Sequence, residues 1–214
     1  MAISTYTELK TAVANWLGGR SDLTDRIPEF ITLCEAKLNR ELRCTQMDTR
    51  SYTSVNTANT EPEFITLPSD FQTMRLVRLS GETGKPALEF VSPQQMDSFR
   101  YDRANVSGMP AYYTIFGTEM ELFPTPDDDY TIEIIYRANI PALASNSTNW
   151  LLTAAPDLYL YGVLMEAAPY IDDDARIGTC AMGYQYAIDG LNKLAFQQTF
   201  ASGPAAVRIE GPTP

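Results

Sequence analysis

The sequence contains no histidine. Its absence excludes Ser–His–Asp and Cys–His nucleophile chemistry and removes the commonest transition-metal ligand. Three cysteines are present, Cys34, Cys44 and Cys180, with no CxxC pair among them. Two of them fall in apolar-periodic segments, which reads as buried free thiols and not as a redox or metal centre. The run GETGKP, Gly81 to Pro86, looks like the end of a phosphate loop. Its spacing from Gly81 is wrong, and Pro86 stands where Ser or Thr would hold magnesium. The acidic runs Asp127–Asp129 and Asp172–Asp174 lack the alternation of a calcium loop. The first belongs to a proline-rich turn, and the second opens a helix, where negative charge is favoured. Nothing marks two of the 27 acids as a glycosidase pair. No catalytic residue, metal or cofactor is therefore expected. The net charge of −11 argues against a general nucleic-acid-binding surface, which needs clustered Lys and Arg. Arg75 and Arg78, in MRLVRLS, are the charged pair of most interest. Strand alternation puts them on opposite faces, so at least one is exposed.

The elements that would position these groups change period twice along the chain. Residues 1–46 read as helices. Thr5-Tyr-Thr-Glu8 is a capping box ahead of Leu9, Val13, Trp16 and Leu17, and Gly18-Gly19 is a C-cap signal. A second stripe runs through Ile27, Phe30, Ile31, Cys34, Leu38 and Leu42, with Pro28 near its start. Residues 47–148 carry short alternating runs separated by Gly, Pro and Asp, which predicts an antiparallel sheet or small barrel. In YTIEIIYRA, Ile132, Ile134 and Tyr136 share one face, and Gly117-Thr118 suits a tight hairpin turn. One short helix interrupts this region, with Ser92 as N-cap, Pro93 at N1 and Gln95 at N3. Residues 149–200 return to helical spacing, with one helix over Thr153–Pro169. A second helix bears the stripe Ile177, Cys180, Tyr184, Ile188, Leu191 and Leu194. Residues 201–214 form an extended tail that cannot build a core, although AVRIE alternates like a short strand. The expected fold class is α+β: a bundle closed by the N- and C-terminal helices, with the β-module inserted between them.

The stretch NWLLTAAPDLYLYGVLMEAAPYI is apolar on nearly every side between Leu158 and Ala168. It falls short of the roughly 20 apolar residues a membrane span needs. Such a helix must be covered on every side, by the bundle or by a partner. The start, MAISTYTELK, has no basic and apolar leader pattern, so synthesis in the cytoplasm is expected.

Three segments together resemble the head–tail adaptor proteins of tailed bacteriophages. Ser4 to Arg43 is similar to their N-terminal helical pair. ITLPSDF, Ile65 to Phe71, is similar to a recurrent strand that ends in a Leu-Pro-x-Asp-Phe turn. Pro110 to Leu143, followed by Asn149 to Ile171, resembles the remaining β-module and the core helix. The resemblance spans about Thr5 to Gln198. It implies a virion structural protein that forms a ring, dodecameric in that family, beneath the portal. Its partners would be the portal protein, other copies of itself, and tail or nozzle proteins. DNA would pass through the channel without specific binding. Tyr159, Tyr161, Arg75, Arg78, Val207, Arg208 and Ile209 are the candidate interface residues. A tail-tube or tail-completion protein is the neighbouring alternative. A small enzyme or a carbohydrate-binding module built on the strand aromatics is the alternative from another class.

Overall fold

The computed structural model describes residues 3–81, 87–102, 106–171 and 174–200. They group into two compact units. One is built from residues within Met1–Thr45 and Ile140–Pro214, the other from Gln46–Asn139.

The first unit is helical. Helix α1, Tyr6–Trp16, begins at the expected capping box. The Glu8 amide donates to Thr5 Oγ1 (3.2 Å), and the Glu8 carboxylate accepts from the Thr5 amide (3.1 Å). Gly18 and Gly19 end the segment at φ of 79° and 69°, a left-handed conformation that costs glycine little. Helix α2, Ile27–Glu41, carries Pro28 in its first turn and buries Phe30, Ile31, Cys34 and Leu38. The predicted single helix over Thr153–Pro169 is instead two helices, α4 (Trp150–Ala154) and α5 (Pro156–Ala167). The break falls at Ala155, with φ −143° and ψ 71°. A residue that precedes proline is pushed out of the helical region by the ring, and Pro156 does this here. Asn149 caps α4, its side-chain oxygen accepting from the Leu152 amide at 2.8 Å.

Helix α5 is the centre of the unit, packed by α1, α2, α4 and the last helix, α6 (Asp174–Phe200). Leu158, Tyr159, Leu160, Val163, Leu164 and Ala167 are all buried. The expected stripe of α6 holds at Cys180, Tyr184 and Ile188 and fails at Leu194, which is 48% exposed. Ala195 is the buried residue of that turn.

The second unit packs two sheets over one core. The expected antiparallel sheet or small barrel takes the form of two sheets, with no closed barrel among the described residues. Strands β1 (Asp48–Ser54), β7 (Thr131–Ala138) and β3 (Phe71–Leu79) form a three-stranded antiparallel sheet in the order β1-β7-β3. Strands β2 (Phe64–Thr66), β6 (Glu119–Phe123), β5 (Tyr112–Phe116) and β4 (Glu89–Phe90) form the other, in the order β2-β6-β5-β4. The β4–β5 pair is parallel. Val77, Ile132, Ile134 and Tyr136 from the first sheet meet Ile65, Tyr113, Met120 and Leu122 from the second in one apolar cluster. Gly117-Thr118 forms the two-residue β5–β6 loop, Gly117 at φ 58°. Helix α3, Pro93–Asp102, starts at the expected box. The Gln95 amide donates to Ser92 Oγ (3.3 Å), and the Gln95 side chain accepts from the Ser92 amide (3.0 Å). It packs Met96 and Phe99 onto Phe123 and Tyr112.

Candidate interaction surfaces

The three-stranded sheet turns one face to the core and one outward. Ile132, Ile134 and Tyr136 of β7 point inward, so Glu133 and its cross-strand partners Arg78 and Tyr52 point outward. Arg78 grips Glu133 with two hydrogen bonds, 2.8 and 2.9 Å, and Arg50 adds a third at 3.4 Å. Glu133 is 4% exposed, an acid that simple alternation would leave open to solvent. The Arg78 guanidinium holds its pKa below the usual carboxylate range, with Arg50 helping. Arg75 breaks the alternation. The β3 register shifts between Met74 and Leu76, so Arg75 occupies a bulge. Its Nε lies 3.4 Å from Asp48, and Asp48 pairs with Arg137 on the same outward face as Glu133. The expectation that Arg75 and Arg78 serve opposite faces is therefore corrected. Both engage acids of the outward face.

ITLPSDF proves to be a clamp on the end of β7. The Asp70 carboxylate accepts from the Tyr136 hydroxyl at 2.9 Å, and the Asp70 carbonyl accepts from the Asn139 amide at 2.7 Å. The Phe71 ring lies 5.7 Å from the Tyr136 ring. Burial, together with the bond to Asp70, pushes the Tyr136 phenol up to about 12. The motif is therefore structural in its chemistry, and spacing alone does not disclose its partner.

Among the helical candidates, Tyr159 is wholly buried inside the chain and offers no surface to a neighbour. Its hydroxyl accepts from Asn149 Nδ2 at 2.7 Å and hydrogen-bonds to Glu35. Burial raises its pKa. Glu35, also buried, accepts from the Leu143 amide at 2.9 Å, and Asn39 accepts from the Ile140 amide at 2.8 Å. Burial raises the Glu35 pKa despite these bonds. This polar set fastens residues 140–149 to α2 and α5. Tyr161 is half-buried, its ring edge-on to Trp16 at 6.2 Å.

Trp16, 52% exposed, also borders a cleft of about 490 Å³ lined by Leu17, Leu164, Ile171, Arg176 and Cys180. Met182, Tyr186 and Phe196 share the outer side of α6 and are 69%, 85% and 65% exposed. Hydrophobic periodicity pointed to the buried stripe and passed over these three. Val207, Arg208 and Ile209 lie outside the described residues, as do the end of GETGKP and the first two acids of Asp172–Asp174. Among the described residues, no group of three or more Cys, Asp or Glu could hold a metal ion. No described helix is long and apolar enough to cross a membrane.

The family model for the SU10 adaptor protein matches residues 4–208, and the chain belongs to that family of phage head–tail adaptors. No curated protein matches the chain. The family is a structural one and places the chain among virion components.

Proposed function

We propose that copies of this chain form a closed ring, dodecameric as the family resemblance implies, between the portal and the tail of the phage particle. The ring extends the DNA channel and offers the platform on which tail or nozzle proteins seat. The observation that carries this reading is the family match over residues 4–208. The exposed apolar side chains of α6 and the cleft beside Trp16 supply surface for such contacts. The chain performs no catalysis and takes no cofactor. Its excess of carboxylates suits a channel component, because like charge lets DNA slide past without sticking. The same charge opposes self-association, so the free chain is monomeric and closes into a ring on the portal, which acts as template. Sedimentation of the purified protein tests the second point: a stable ring without portal contradicts it. Copy number and position in the particle neck test the first.

A further inference from the structure

The β unit is electrically two-sided. The outward face of the β1-β7-β3 sheet carries Arg50, Arg75 and Arg78, whose side chains are 59%, 47% and 48% exposed, against Asp48 and Glu133. Tyr52 stands among them, 54% exposed. The outward face of the other sheet is covered at its Tyr112–Phe123 end by α3, and the part left open is acidic. Tyr113, Met120 and Leu122 point into the core, so Glu119 and Glu121 of β6 point away from it, as does Glu89 of β4, paired to Tyr112. Glu121 is engaged by Arg100 of α3, while Glu89 and Glu119 are exposed. Phe64 and Phe116 are the cross-strand partners of Glu121 and Glu119, and they are 37% and 45% exposed. Each face therefore combines exposed aromatic surface with a small excess of one charge, positive where Arg50, Arg75 and Arg78 outnumber Asp48 and Glu133, and negative where Glu89, Glu119 and Glu121 outnumber Arg100.

We infer that these two faces are complementary halves of one subunit contact: the arginine face around Tyr52 docks on the acidic face around Phe116 of a second copy. Opposite signs steer the encounter and exclude a face from meeting its own kind, where like charges would oppose. The contact is heterologous, because the two patches differ. Repeated head to tail, such a contact closes into a ring when its rotation allows. A two-fold dimer would instead use one patch twice. The inference rests on the ring reading and names the surfaces that build the ring.

The test is site-directed disulfide trapping in assembled particles. Cys34, Cys44 and Cys180 are buried, so engineered surface thiols react without competition. Particles are assembled with Tyr52→Cys chains, with Phe116→Cys chains, or with a mixture of both, then mildly oxidised. A covalent dimer in the mixture, absent from either variant alone, is the expected result. Dimers within one variant, or none in the mixture, overturn the inference. Protection of Tyr52→Cys from maleimide by duplex DNA, with no bond to Phe116→Cys, would assign the arginine face to the nucleic acid and overturn it equally. Failure of the ring reading is separately visible. A closed ring in the neck with no trapped pair defeats only the face pairing. A trapped pair from chains that form no ring defeats only the ring.

Discussion

The Tyr184 ring of α6 lies against the bare Cα of Gly162 in α5. A Cβ built on Gly162 would stand 3.2 Å from that ring and 2.5 Å from the sulfur of Cys34 on α2. The contact is reciprocated one residue away, where a Cβ on Gly183 of α6 would stand 2.9 Å from the Tyr161 ring of α5. Two glycine–tyrosine pairs thus set how closely α5 and α6 approach. The Tyr184 hydroxyl is fixed as well, donating to Glu41 at 2.9 Å.

Gly162→Ala should therefore destabilise the protein. Overpacking of a tight core costs about 1–3 kcal/mol, more than the roughly 1 kcal/mol that alanine gains over glycine in a helix. Gly190→Ala, whose Cβ would meet nothing within 4 Å, should leave the melting midpoint unchanged or raise it. Adding Cys34→Ala to Gly162→Ala should recover part of the loss, because the nearest obstructing atom is gone. Equal midpoints for Gly162→Ala and Gly190→Ala would contradict the close approach.

Glu35 tests the buried polar set through pH. Its pKa is raised in the fold. As pH climbs past the unfolded value near 4.3, the unfolded chain releases its proton first, and stability falls until folded Glu35 ionises too. Glu35→Gln keeps an acceptor for the Leu143 amide and removes this fall. The midpoint of Glu35→Gln minus that of the wild type should rise between pH of about 4 and 7. A difference that stays flat over that range would refute the assignment.

Glu133 should behave in the opposite sense. Its pKa is lowered, chiefly by Arg78. Its stabilisation is complete above the unfolded value near 4.3 and is lost as pH falls through the folded value. The deficit of Glu133→Gln should be largest near neutral pH and shrink under acid. A deficit constant down to pH of about 2 would show that the arginines act there by packing alone.

Much of this fold is legible from residues close together in the chain. The boxes at Thr5–Glu8 and Ser92–Gln95 form as read, since both partners lie within one turn. The all-apolar run around Val163 becomes the central helix because no other placement covers every side of it. What escaped depends on distant partners. The bulge that turns Arg75 toward Asp48 follows from pairing with β7, 27 residues of separation hiding the ion pair itself. The role of Asp70 awaits Tyr136, and Tyr159 reads as surface until Asn149 and Glu35 enclose it.

Asp70→Ala should cost about 1–3 kcal/mol, because it strands the Tyr136 hydroxyl near the core. Tyr136→Phe removes the donor and leaves Asp70 able to turn to water, so it should cost less. The double variant should lose less than the sum of the two, by the coupling expected of a direct bond. Additive losses in urea melts would contradict the clamp.

Reconstruction of the phage neck from intact particles, with this chain traced in the density, tests the adaptor role most directly. The expected result is a closed ring of copies between portal and tail, with DNA on its axis. The contradicting result is a clear neck in which other chains fill that ring and this one lies elsewhere in the particle, or is absent.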